Sequence, residues 1–188
     1  MERLTARYLE QWEIINMKDF FRQGFILQWK DNWSANKLQY QLKKMKFRRK
    51  EEEAKEYKIR LVEELKENIV IPIRKEQIKW YNHIFMIKKA NGKQRKKLDA
   101  KALNKEIADF PFKMHDSNKV KQTIRFGYQC TSLDLFSAFL HLIVQIGTQP
   151  YLSFEFQNNH YSYRAMPFGI KHSQIYFATA MEPIMLQI

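Results

Sequence analysis

The dipeptide Asn91-Gly92, set between the runs "HIFMIKK" and "KQRKKLD", restricts the fold of this chain more than any other feature. A two-residue type I′ turn needs positive φ at both central positions, and Asn-Gly accepts that more readily than most pairs. The sequence therefore predicts a β-hairpin, with a strand on either side. If those two residues alone form the loop, Ala90 faces Lys93 and Lys88 faces Arg95. Like charges opposed across a ladder repel each other. Lys89, Lys93, Lys96, Lys97 and Lys101 crowd the same ribbon, with only Asp99 against them. A hairpin so charged is expected to sit against an anion.

The whole chain leans the same way. Its 33 Lys and Arg against 20 Asp and Glu leave a net charge of +13 over 188 residues. A surplus of that size favours a polyanionic partner through counterion release from phosphates; a solvated basic surface is the alternative. The single cysteine, Cys130, excludes an internal disulfide and a cysteine-based zinc module, and the five histidines are scattered. The opening "MERLTARYLEQWE" has no apolar signal-peptide core, and "FSAFLHLIVQI" is too short and too polar to cross a membrane. An intracellular protein (cytoplasmic or nuclear) with no membrane partner is expected.

Residues 1–50 read as an aromatic-rich, basic, helical extension ending in "KKMKFRRK". Next, "EEEAKEYKIRLVEELKEN" places Ala54, Tyr57, Leu61, Val62 and Leu65 at helical spacing, with glutamates in the first turn and Asn68 as a stop. The period then shortens. "IVIPI" and "HIFMIKK" read as strands, as does "CTSLDL", where Thr131, Leu133 and Leu135 alternate with Ser132 and Asp134. A helix is expected from about Ser137. "YLSFEF" and "HYSYRAM", joined by "QNN", predict a second hairpin. After "MPFG" comes a final helix, "SQIYFATAMEPIMLQI", that Pro183 should kink or stop. This order predicts an α+β fold with helices on one face of an antiparallel sheet.

Asp134 is the one carboxylate in the apolar run "CTSLDLFSAFLHL", with Phe139 five residues on. A buried aspartate is costly unless compensated, and a metal ion is one compensation. Taken singly, Asp134 can equally be a structural hydrogen-bonding residue and Phe139 a core residue. Their order with the basic hairpin and "MPFG" is what resembles the reverse transcriptases of retroelements, most of all the DIRS type. The similarity runs from about Glu53 to Ile188, through "IKWYNHIFMIKKANGKQRKKLDAKALN", "TSLDLFSAF", "YLSFEF", "HYSYRAMPFGIKHSQIYF" and "MEPI".

That resemblance implies a partial right-hand polymerase, with residues 51–188 forming the fingers and the front half of the palm. It implies RNA-templated DNA synthesis by two-metal nucleotidyl transfer. The partners are an RNA or DNA template-primer and a deoxynucleoside triphosphate, and the cofactor is Mg2+. Lys88 and Arg95 would grip the triphosphate. Asp134 would be the first metal-binding carboxylate, joined by the backbone carbonyl of Leu135. Phe139 would lie under the sugar, leaving no room for a 2′-OH. Phe168 and Gly169 would pack beside the templating pair and the nucleotide. Lys89, Lys93, Lys96, Lys97 and Lys101 would meet nucleic acid.

The chain departs from the pattern at Gln94, where an aromatic is usual, at Lys97, where an apolar strand residue is usual, and at Gln174, where proline is common. "GYQCTS" replaces a more typical Gly-Asp-Trp approach. The 188 residues hold no Asp-Asp pair, and the family chemistry needs one in a Tyr-x-Asp-Asp turn. The expectation is a truncated copy, inactive alone. The alternative is a non-catalytic retroelement remnant that binds nucleic acid by charge.

Overall fold

In the computed structural model the described residues are 8–42, 51–88, 94–111, 125, 127, 129, 135 and 137–185, with 88, 94, 95 and 185 described by backbone alone. The early segment carries three short helices, α1 (Leu9–Glu13), α2 (Lys18–Gln23) and α3 (Ser34–Tyr40). Between them the backbone is irregular, so the expected helical extension is interrupted. The interruptions have a cause: Phe25 bridges Val144 and Trp29 bridges Ile107, which requires extended backbone at both points. Phe21, Phe25, Leu27 and Leu38 are buried in the same core as the later elements.

Helix α4 (Glu51–Lys66) matches its sequence signals. Glu51, Glu52 and Glu53 occupy its first turn and Lys66 its last, each complementing the helix dipole. Tyr57 and Leu61 are buried, whereas Val62 faces outward at 43% exposure, so the apolar stripe is narrower than its spacing suggested. Asn68 takes φ +54° just past the end, a left-handed conformation that asparagine tolerates.

Two sheets follow. Strands β1 (Val70–Pro72), β4 (Ser153–Phe156) and β5 (Asn159–Tyr163) form an antiparallel sheet in the order β1-β5-β4. Pro72 is tolerated because β1 is an edge. The β4–β5 turn is Gln157-Asn158, both at positive φ (51° and 64°), while Asn159, expected in the connection, already pairs with Phe156. The second sheet is the two-stranded ribbon of β2 (His83–Lys88) and β3 (Gln94–Asp99), so the antiparallel pairing expected on either side of Asn91-Gly92 is formed, while the turn itself, residues 89–93, lies outside the described residues.

Its register differs from the one expected. Lys88 pairs with Gln94 and Ile87 with Arg95, so Lys88 and Arg95 occupy positions on opposite faces of the ribbon rather than facing each other. The reason is burial. The observed pairing sets Ile84 opposite Leu98 and Met86 opposite Lys96, which brings Ile84, Met86 and Leu98, all buried, onto one inward face. Pairing Lys88 with Arg95 would have put Leu98 on the outer face and Lys97 on the inner one.

Helix α5 (Lys101–Glu106) leaves the ribbon directly. Residues 130–134 of the expected "CTSLDL" strand lie outside the described residues, and Leu135 is not in a strand. Instead of an α-helix from Ser137 there is a single 3-10 turn, Ala138–His141, entered through Ser137 at φ +52°. It ends at once because Ile143 and Val144 are drawn into bridges with Ala165 and Phe25. The last helix, α6 (Ser173–Met185), passes Pro183 by two residues before its described end. Among the described residues no helix is long and apolar enough to cross a membrane.

One contact joins these parts. The Lys96 side chain, from the inner face of β3, is only 6% exposed, and its ammonium meets the Glu64 carboxylate of α4. Three rings surround that ammonium, with centroids at 5.3 Å for Tyr57, 4.6 Å for Phe154 and 4.8 Å for Tyr163. Burial pulls the Lys96 pKa down, and the charge of Glu64 and its hydrogen bond pull it back. Removing one partner strands the other in a mostly buried site, which typically costs about 3–5 kcal/mol. Lys96→Ala should therefore lower the unfolding free energy measured in urea by that order, whereas Lys96→Met combined with Glu64→Gln should recover most of it. Equal losses in the single and double variants would contradict this account.

Candidate nucleotide site

Strand β3, the 3-10 turn and the loop before α6 enclose a cavity of about 400 Å³, within the range of small-molecule sites. Lys97 and Leu98 form its β3 wall, and the Lys96–Glu64 pair closes one end beside Tyr163. The opposite wall is Leu135, the turn from Ser137 to Leu140, and Pro167 with Phe168. Burial pushes the Tyr163 hydroxyl well above its ordinary pKa, and the nearby charge of Glu64 adds to the shift. That end of the cavity holds a neutral phenol, not a phenolate.

Five of the residues singled out in sequence line this cavity: Lys96, Lys97, Leu135, Phe139 and Phe168. Leu135 stands 49% exposed at the edge. Phe139 is half-buried, its ring centroid 5.7 Å from Phe168 and 5.1 Å from Phe177 of α6. Phe168 is 44% exposed. Gly169 adjoins them at φ +110°, and a Cβ there would lie 3.1 Å from the carbonyl oxygen of Leu98. Both the conformation and the close approach demand glycine.

Asn104, which the sequence did not single out, holds that turn in place. Its Nδ2 donates to the Gly169 carbonyl at 2.8 Å, and its Oδ1 accepts from the Lys171 amide at 2.9 Å. Ser173 Oγ also donates to the Pro167 carbonyl at 3.0 Å. The only sequence signal for Asn104 was its place closing the run "LDAKALN". Its clamp onto a loop 65 residues away is a tertiary contact that no local pattern encodes.

The basic residues divide. Lys96 turns inward onto Glu64, so its charge is not presented to solvent. Lys97 is half-buried in the cavity wall, and Lys101 is exposed at the start of α5. Lys89, Lys93 and Asp134 lie outside the described residues, and Lys88 and Arg95 are placed only by their register. Among the described residues no group of three or more His, Cys, Asp or Glu side chains is arranged to hold a metal ion.

No protein-family model matches the sequence, and no curated protein does. Solved structures do. The native protease-reverse transcriptase of prototype foamy virus superposes with a TM-score of 0.63 at 20% identity, over 75% of this chain and 19% of that one. The selenomethionine-labelled CSH mutant of the same protein gives a TM-score of 0.69 at 16% identity, over 95% of this chain and 24% of that one. The chain thus spans about a fifth to a quarter of those polypeptides, and at such identities the likeness is one of architecture. Its fold is reverse-transcriptase-like.

Proposed function

We propose that this chain is the fingers and the front half of the palm of a retroelement reverse transcriptase, of DIRS type, that takes a template-primer and a deoxynucleoside triphosphate. The observation that carries the reading is the meeting of Leu135, Phe139 and Phe168 around one cavity beside β3, although up to 33 residues separate them in sequence. In this reading the nucleotide occupies that cavity. Phe139 sets the floor under its sugar, and Phe168 with Gly169 packs beside the base pair. Arg95 and Lys97, from the outward face of β3, supply positive charge for the phosphates, and a guanidinium suits bidentate contact, whereas Lys88 on the opposite face of the ribbon does not join them. Asp134 and the carbonyl of Leu135 offer hard oxygen donors of the class that Mg2+ takes. Bound there, the ion would neutralise charge on the transferring phosphoryl group. The second reading is a non-catalytic remnant that binds nucleic acid by charge, and the excess of 33 Lys and Arg over 20 Asp and Glu supports it.

Three measurements test the proposal. With one of the carboxylates of a two-ion site, the 188-residue polypeptide should extend no primer in Mg2+ or Mn2+. Extension that Asp134→Asn abolishes would show that the chain assembles its ions otherwise. Binding to RNA or DNA should be weak, indifferent to sequence and steeply salt-dependent, because phosphate contacts release counterions. A flat salt response would reduce the +13 to mere surface charge.

The third concerns sugar choice, in a polypeptide that also supplies a Tyr-x-Asp-Asp turn. Phe139→Val should admit ribonucleotides while deoxynucleotide use falls only moderately. If the ring were only core, Phe139→Ala would cost about 3–5 kcal/mol of stability and depress both sugars together. An unchanged ratio of the two kcat/KM values would return Phe139 to the core.

A further inference from the structure

The backbone that leaves α5 is strapped to the start of α6, and a histidine is the central tie. Up to Ala108 the backbone itself is fixed. Trp29 bridges Ile107, and the Ala108 amide donates to the Gln28 carbonyl at 2.9 Å. From Ala108 to Phe110 side chains take over. His172 Nε2 lies 2.7 Å from the Ala108 carbonyl oxygen, and Lys171 pairs with the Asp109 carboxylate. The Phe110 ring lies 5.0 Å from the imidazole, although Asp109 and Phe110 are both exposed.

The chemistry of the His172 contact fixes its charge state. A carbonyl only accepts, so Nε2 carries the proton. Among the described residues Nδ1 makes no hydrogen bond. His172 is 5% exposed, in a groove whose other walls include Phe25, Ile26 and Tyr176. A second proton would create a mostly buried cation and an N–H with no protein acceptor, which is costly. The ionisable groups facing it come from both sides. Lys171 adjoins it, Asp109 faces it from the strap, and Lys30 stands 4.0 Å beyond that carboxylate. Burial lowers the His172 pKa first and the Lys171 charge adds to this, while the Ala108 bond and Asp109 oppose it. The Tyr176 hydroxyl donates to the Phe20 carbonyl at 3.2 Å, and burial keeps it a neutral phenol.

We propose that His172 is an acid-released catch, which holds the Ala108–Phe110 strap against the start of α6 when neutral and frees it to swing about Ala108 when protonated. The Lys171–Asp109 pair does not replace the catch, because the Asp109 side chain is 75% exposed and ion pairs open to water contribute little. The sign follows from linkage. An imidazole whose pKa in the closed form lies below its free value of about 6.5 stabilises the closed strap above that pH. The contribution is lost as the pH falls through the closed-form value. Asn104 holds the Lys171 amide from the other side. The run from Gly169 to His172 thus serves the cavity turn at one end and the strap at the other. The catch does not depend on what the cavity binds, so it stands or falls separately from the function proposed above.

The test uses the 188-residue chain with para-fluorophenylalanine at Phe110 alone and isotope-labelled histidine. The imidazole in contact with the fluorinated ring identifies His172. Its titration midpoint should fall below about 6.5, and its neutral form should be the Nε2–H tautomer. Broadening of the fluorine signal by a soluble nitroxide reports exposure of the ring. Between about pH 8 and about pH 5 that broadening should rise with the same midpoint as His172. In His172→Gln, which keeps an Nε2–H donor and cannot titrate, it should stay level. Asp109 cannot supply the transition, since its bond to Lys171 holds its carboxyl below the ordinary carboxylate range. A fluorine signal indifferent to pH while His172 titrates would overturn the catch. So would a rise that persists in His172→Gln, or a His172 midpoint above its free value. If His172→Gln does not fold, the wild-type chain decides alone, because its two midpoints either coincide or differ.

Discussion

The Lys96–Glu64 pair is the constraint on which the rest of the arrangement depends. Its members come from β3 and α4, and the rings around the ammonium come from α4, β4 and β5. The two-stranded ribbon, the three-stranded sheet and the long helix thus share one point. Burying an ion costs several kcal/mol, and a paired carboxylate with close aromatic faces offsets much of it. Well-packed apolar residues in place of both partners would stabilise the fold at least as well. What the pair adds is selectivity of register. A slip of one residue would present Arg95 or Lys97 to the rings, out of reach of the geometry Glu64 provides.

That constraint explains which parts of the fold were legible in the sequence. Helix α4 was legible because its glutamates, its helical spacing and Asn68 are local signals that agree. The existence of the β2–β3 hairpin was equally plain. Its register was not, because Asn-Gly argued for a two-residue loop and the charged strands gave no contrast between faces. The deciding information was Leu98, the one strong hydrophobe of β3, which has to share a face with Ile84 and Met86. Lys96, expected among the lysines that meet nucleic acid, was misplaced for a related reason: lysine reads as a surface residue until a carboxylate and three rings are assembled around it from four other positions.

The candidate site was legible to a different degree. Phe139 and Phe168 were found through their order along the chain, and the fold brings their rings within 5.7 Å. The helix expected after Ser137 failed because "SAFLHLIV" carries helical formers up to Leu142 and then two β-branched residues. Val144 is fully buried between segments it bridges, and tertiary demand for extended backbone there overrode local propensity. The result matters for the cavity, since a one-turn helix leaves Phe139 at the rim.

Strand β3 consequently sets the cavity from both of its faces and its backbone. Inward, Lys96 and Leu98 anchor the ribbon to α4 and the core. Outward, Arg95 and Lys97 occupy the opposite face of the ribbon. Along its edge the Leu98 carbonyl approaches Gly169 so closely that no Cβ fits without a shift. A displacement of β3 would therefore move the charged wall and the Phe168 turn together, with Asn104 of the next helix carrying the turn along. The width of the cavity is fixed by core packing, not by the loops that line it, which is why a buried lysine at one end of the cavity governs its geometry.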